Sequence, residues 1–328
     1  MNKKIVYIII AVIVIVSTFV GYKYYIYQTK NTNGLEKVSL RLKWIDQAQF
    51  AGYYLANSRG LYSDKNLEVE IHPGGSDISP VQMVATGVDD FGITGADQII
   101  LAREKGVPLV ALAVLYKDSP VTIMSLATKD IVKPKDLEGR KVEVVYGRDE
   151  EAIYRILLER EGVNTQKINE VPSLADYSRV ISGQVDARVD YELNGGILLP
   201  LKGFPLNLIK PRDYGINFYA DTLFTTEEII RKNPEMVRNF VKASVEGWKV
   251  ALKDQKSAID EVMRINNSLD REHQSKFLEY SIPMITGKGD IGYSEKKTWE
   301  EMQTMLLSQG VLKNTVDIDK VFTNEFLK

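Results

Sequence analysis

The distribution of apolar positions divides the chain into one long uninterrupted run and a body of short, patterned segments. Lys3 and Lys4 precede an uncharged stretch from Ile5 to Tyr22, and the next charge is Lys23. A helix of that length rises about 27 Å, enough to cross the hydrocarbon core of a bilayer. A cleavable signal peptide is the competing reading. Its apolar region is usually about 7–15 residues long, and Ser17-Thr18-Phe19-Val20-Gly21 offers no small-x-small cleavage pattern. Tyr22, Tyr24, Tyr25 and Tyr27 would make an interfacial aromatic belt. Residues 1–30 are therefore expected to form a transmembrane helix that anchors an exported protein, with residues 31–37 as a polar tether.

Beyond the tether the pattern alternates between strand and helix. Val38, Leu40, Leu42 and Trp44 alternate with polar residues and predict a half-buried strand. A helix over about 50–58, a strand over 67–71 and a helix from Asp77 or Ser79 to Thr86 follow, then a strand at 91–93, a helix over 97–105 and an apolar strand over 109–116. The pattern restarts after a charged turn at 133–139, with strands at 142–145, 168–171, 187–191 and 206–209 and helices at 150–160 and 175–182. From Thr226 onward the periodicity is helical, with runs to Lys253, over 257–265, 271–280 and 295–308. Such alternation predicts α/β layers with largely parallel sheets. It divides the chain into lobe 1 (38–125 plus 220–328) and lobe 2 (126–219), joined near 125–128 and 218–223. Open α/β sheets bind ligands outside the carboxyl ends of their strands, so two facing lobes would enclose a cleft that hinge motion can seal.

Composition narrows the chemistry. The 328 residues include no cysteine and only two histidines, His72 and His273. Disulfides, thiolate metal sites, cysteine nucleophiles and a lipidated cysteine are excluded, and a histidine-rich metal centre is not expected. Residues 31–328 carry 38 basic and 44 acidic side chains, a net charge of −6. That balance, without a basic stripe, argues against nucleic acid. No nucleophile elbow, P-loop or H-E-x-x-H motif occurs, and no cofactor is implied.

Several residues are candidates for the cleft. Trp44 ends the first strand, where a flat heteroaromatic ring could stack on it. Gln47 and Gln49 carry amides that can read ring nitrogens and an exocyclic amine. Tyr53 and Tyr54 lie about 100° apart on a helix, so one of them can face the cleft. Asp97, at a helix start, could cap the helix or touch ligand. Ser119 follows a buried strand. Tyr146-Gly147-Arg148-Asp149-Glu150-Glu151 ends a strand and opens a helix. Its acids suit a helix N-terminus but repel phosphate, which favours a neutral or cationic, unphosphorylated ligand.

The wording Leu42-Lys43-Trp44-Ile45-Asp46-Gln47-Ala48-Gln49-Phe50-Ala51-Gly52-Tyr53-Tyr54, with Gly183-Gln184-Val185-Asp186-Ala187, Tyr214-Gly215-Ile216-Asn217-Phe218-Tyr219 and Gly289-Asp290-Ile291-Gly292-Tyr293, resembles the thiamine-pyrimidine-precursor family of extracytoplasmic solute-binding proteins, from residue 38 to the end. The resemblance implies a two-lobed periplasmic-binding-protein-like fold of type II, a small heteroaromatic ligand and an ABC permease as partner. It also implies an acidic ligand contact in Asp190-Tyr191-Glu192, with Glu192 the first choice and Tyr191 beside it, and contacts from Asn217 and Tyr219 at the return crossover. A sensory role beside a membrane kinase is an alternative within similar domains. Another branch of the family synthesises hydroxymethylpyrimidine phosphate from pyridoxal phosphate and its own histidine. That branch's cofactor lysine falls at Thr94, its donor histidine at Gln98, and its cysteine-rich stretch near 216–222, where this chain has no cysteine. The resemblance therefore points to binding rather than synthesis.

Overall fold

The computed structural model describes residues 34–328 except Ser76, Ala175 and Lys288. The apolar run at 5–22, and with it the expected membrane helix, lies outside the described residues. Among the described residues no helix is long and apolar enough to cross a membrane.

Among the described residues, ten strands form two five-stranded sheets. β1 (Glu36–Arg41), β2 (Leu67–His72), β3 (Phe91–Thr94) and β4 (Leu109–Val114) belong to the first sheet, β5 (Val121–Leu126), β6 (Lys141–Val144), β7 (Asn169–Pro172), β8 (Ala187–Tyr191) and β9 (Leu206–Ile209) make the second, and β10 (Thr222–Thr226) returns to the first. The spatial orders are β2-β1-β3-β10-β4 and β7-β6-β8-β5-β9. β1 and β3 are parallel, with Leu40 opposite Phe91, and β6 is parallel to both β7 and β8. β10 and β5 run antiparallel to their neighbours.

These two strands correct the expectation. Segments 125–128 and 218–223 were read as connections between lobes, yet each borders or enters a strand inserted inside a sheet. The first crossover therefore lies before Val121, not at residue 125. β5 and β10 follow immediately after their crossovers, so each reverses direction as it enters the sheet.

The helices are α1 (Ala51–Ser58), α2 (Pro80–Ala85), α3 (Ala96–Glu104), α4 (Asp149–Arg160), α5 (Ser178–Ile181), α6 (Gly195–Leu201), α7 (Glu227–Lys232), α8 (Pro234–Lys253), α9 (Gln255–Ile265), α10 (Arg271–Thr286), α11 (Lys296–Ser308) and α12 (Ile318–Val321). Local signals explain several starts. Ser79 accepts from the Gln82 amide ahead of Pro80, and Asn233, Asp254 and Asp270 cap α8, α9 and α10 through side-chain oxygens. α10 continues through Pro283 to Thr286, past the expected stop at residue 280.

The first lobe buries Phe50, Tyr62, Phe91 and Trp248 between its sheet and α1, α8 and α9. A second apolar core crosses the lobe boundary. It joins Ile99 and Ile100 of α3, Ile153 and Leu157 of α4, and Trp299 and Met302 of α11. The lobes are thus closed on each other, and that contact sets the geometry of the cleft.

Candidate functional site

The cleft is built where strands of both sheets end. After β1 the chain runs through Leu42, Lys43 and Trp44, held by the Leu42 amide donating to His72 O at 2.9 Å and the Gly74 amide donating to Trp44 O at 2.8 Å. Gly74 is required there, since a Cβ would stand 2.4 Å from Leu42 O. Lys43 is only 4% exposed, and its side chain crosses to the second lobe. Its ammonium lies 2.6 Å from Asp149 at the first turn of α4, donates to the Tyr191 hydroxyl at the end of β8, and sits 3.9 Å from Asp221. Tyr191 in turn donates to Asp149 at 2.6 Å.

Carboxylates outnumber cations in this cluster, and the ionisation of each follows from its neighbours. Burial alone would lower the Lys43 pKa. The fields of Asp149, Glu150 and Asp221 outweigh it, and the ammonium is held above its ordinary value. Burial pushes Asp149 up, but Lys43 and the hydrogen bonds it accepts bring it below the usual carboxylate range. Asp97, at the start of α3, is pushed up to about 7 by burial and by nearby Asp149. Its Oδ2 accepts from Gln98 at 2.7 Å, while Oδ1 is buried without a hydrogen-bond partner among the described residues. Burial raises Asp221 to about 6, against the pull of Lys43 and the Gln49 amide, which donates to it at 2.7 Å. Arg148, before α4, donates to Lys43 O at 2.9 Å and to Gly75 O, and its guanidinium lies 5.1 Å from the Trp44 ring. Asp149, Glu150 and Glu151 occupy the first turn of α4, where the helix dipole favours anions.

Three spaces open around this cluster. An inner one of about 360 Å³ is lined by Trp44, Gln49, Glu150 and Tyr191, with Lys43 and Arg148. A second of about 600 Å³ lies between the 77–81 segment and Tyr146–Asp149, and reaches Thr94 and Gln98. An outer chamber of about 810 Å³ lies beyond Trp44 and Gln47. These volumes include space open to solvent; the enclosed room is about 20 Å³ in the inner space and about 190 and 270 Å³ in the other two.

The structure thus gathers Trp44, Gln47, Gln49, Tyr146 and Tyr191 around the cleft, with Asp97 buried at the interface behind them. Gln47 donates to Gln49 at 2.7 Å, so the two glutamines and Asp221 form one hydrogen-bonded chain. The structure places the five other candidates away from these spaces. Glu192 lines none of these spaces: Arg212 at 2.6 Å and Lys210 at 2.9 Å hold its carboxylate. It follows Tyr191 directly, and strand alternation turns it to the opposite side. Tyr53 packs edge-on against Trp248 in the first core, centroids 5.9 Å apart. Ser119 accepts from the Val121 amide at 3.2 Å and shapes the turn into β5. Asn217 is exposed on the return crossover. Tyr219 packs edge-on against Trp299, with its hydroxyl accepting from the Glu295 amide at 3.1 Å.

Sequence reasoning missed Lys43, Arg188 and Asp221, and placed Glu192 ahead of Asp190 as the acidic contact. A lysine beside a cleft tryptophan reads as a solvated strand end, and only the approach of α4 makes it a buried cation.

A model of the NMT1/THI5-like family matches residues 47–258. The chain belongs to the NMT1/THI5-like family. It is 27% identical to the riboflavin-binding protein RibY of Chloroflexus aurantiacus, over 89% of this chain and 86% of that one. It is 23% identical to the formylaminopyrimidine-binding protein of Halalkalibacterium halodurans, over 88% of this chain and 90% of that one. Some relatives are named 4-amino-5-hydroxymethyl-2-methylpyrimidine phosphate synthase. Among solved structures, the alkanesulfonate-binding protein SsuA from Xanthomonas axonopodis pv. citri superposes with a TM-score of 0.71, at 14% identity, over 89% of this chain and all of that one. The shared architecture is the two-lobed periplasmic-binding-protein-like fold.

Proposed function

We propose that this family member is an extracytoplasmic solute-binding protein. It captures a thiamine-related pyrimidine or similar small heteroaromatic between its two lobes and delivers it to an ABC permease. The observation that carries the reading is Trp44 at the junction of both lobes, beside the amide of Gln49, the carboxylate of Glu150 and the hydroxyl of Tyr191. A planar ring can stack on the indole, while the amide and acid read its polar edge. The names of the riboflavin-binding and formylaminopyrimidine-binding relatives support the same ligand class. In this reading the apolar run at 5–22 holds the protein at the outer face of the membrane, and 121–209 closes against the remainder as the second jaw.

A binding role is favoured over synthesis by the state of the cleft lysine. Schiff-base chemistry needs a neutral amine, whereas Lys43 is paired with Asp149 and held charged. Thr94 and Gln98, which stand where the synthase branch has its lysine and histidine, cannot replace those groups. Isothermal titration of the purified exported part with aminopyrimidines and flavins is the deciding experiment. Saturable 1:1 binding is expected, with scattering showing no loss of compactness on saturation. Absence of binding to every heteroaromatic tested overturns the reading.

A further inference from the structure

The outer chamber shares Trp44, Arg188, Asp190 and Asn194 with the inner space. The two spaces therefore adjoin at Trp44, so a substituent on a ring stacked there would point toward the outer chamber. Both lobes wall this chamber: Tyr177 and Leu198 come from the second, and Asp270 and His273 from the first.

Its polar groups contain an ion pair, Arg188 with Asp190, whose facing atoms are not hydrogen-bonded. Asp190 is 6% exposed; its Oδ1 accepts from the Tyr191 amide at 2.8 Å, and its Oδ2 has no hydrogen-bond partner among the described residues. Nε of Arg188 is likewise buried and without one, 3.6 Å from that oxygen. Nη1 is committed: it donates to Asp176 O at 2.6 Å and to Glu143 at 3.4 Å, and the guanidinium lies 4.6 Å from the Tyr177 ring. A donor and an acceptor 3.6 Å apart are too distant to satisfy each other. A single hydroxyl can serve both, accepting from Nε–H and donating to Oδ2. His273 adds no free charge, since Nε2 meets Leu193 O at 3.0 Å and Nδ1 meets the Gln274 amide at 3.1 Å.

We propose that the outer chamber is a subsite for a neutral polyhydroxyl chain carried by the ring that stacks on Trp44. The proposal rests on the heteroaromatic-binding reading above and narrows it to rings bearing such a chain. The chamber sets two acids, Asp190 and Asp270, against two cations, Arg188 and Lys202, and so offers no net charge to either a phosphate or an amine. Hydroxyls use donors and acceptors alike and leave neither unpaired, which matters because an unpaired buried polar group is costly.

Three probes separate the terms: riboflavin carries the ring with a ribityl chain, lumiflavin the ring with a methyl group, and flavin mononucleotide a phosphorylated chain. Quenching of flavin fluorescence gives each dissociation constant. Riboflavin is expected to bind about tenfold more tightly than lumiflavin, the worth of one or two net hydrogen bonds, and more tightly than flavin mononucleotide. Asp190→Asn should shrink the riboflavin preference. Leu198 lines the outer chamber and not the inner space, so Leu198→Trp should fill the chamber and bring riboflavin to the level of lumiflavin, with lumiflavin affinity unchanged. Equal affinities for riboflavin and lumiflavin in the unaltered protein overturn the proposal. So does a riboflavin preference that survives Leu198→Trp. Binding of an aminopyrimidine but of neither flavin also overturns it while leaving the heteroaromatic reading standing, whereas failure of every heteroaromatic overturns both.

Discussion

Lys43 and Trp44 stand side by side after β1 and do opposite things. The tryptophan offers a surface to a ligand, and the lysine ties the lobes together through Asp149 and Tyr191. Removing one partner of a buried ion pair leaves the other charge unpaired, at a cost of about 3–5 kcal/mol. Lys43→Met is expected to lower unfolding free energy by that order in urea titrations, with Asp149 the stranded group. Trp44→Ala should weaken heteroaromatic binding at least about tenfold, and Trp44→Phe should retain most of it. Titration calorimetry of both variants distinguishes stacking from mere bulk. Trp44, Gln49 and Tyr191 were legible as cleft residues because each sits at a strand end or just after one. Glu192 was not, because one step along a strand reverses the side a residue faces.

At the scale of elements, α1 and α8 cross at a pair of glycines. A Cβ on Gly247 would stand 2.2 Å from Gly52 O and 2.6 Å from the Ala56 Cβ, and one on Gly52 would strike Trp248 at 2.3 Å. Gly247→Ala is therefore expected to cost about 1–3 kcal/mol by overpacking, read as a lowered urea midpoint with unchanged slope. The helices themselves were readable from capping residues and apolar periodicity. The strands at the crossovers were not. Val121–Leu126 and Thr222–Thr226 overlap the joints expected near 125–128 and 218–223, because local sequence carries no record of strand direction. Their place inside the sheets depends on pairing partners far away, such as Tyr191 opposite Val121 and Thr94 opposite Thr222.

For the whole molecule, closure buries more carboxylates than cations, and this couples it to pH. Asp97 is raised to about 7 and Asp221 to about 6, while an exposed carboxylate titrates near 3.9. Between about pH 4 and 7 the closed form therefore binds more protons than a form in which these groups meet water. The stability of the closed form is fully present below that window and falls as pH rises through it. Asp149 has the opposite sign, but its lowered pKa places its contribution below the window, and Lys43 loses its proton only far above it. Small-angle scattering at pH 5.5 and pH 8 is expected to show the more compact particle at the lower pH. Asp97→Asn should reduce the dependence and leave the part that belongs to Asp221 and to Glu150, whose carboxyl is also raised well above its ordinary value by burial and by neighbouring Asp149. Equal compactness at both values would refute the coupling.

The amino-acid order by itself determined the α/β alternation, the helix starts, the absence of thiol chemistry and the aromatic and amide residues at the mouth of the cleft. All of these rest on short-range spacing or composition. Tertiary structure alone decided which strands run antiparallel, that Lys43 rather than Glu192 is the charged centre of the cleft, and that Arg188 and Asp190 face a shared chamber. Those outcomes depend on which distant segments meet, and burial in the closed cleft converts ordinary surface charges into paired, perturbed ones.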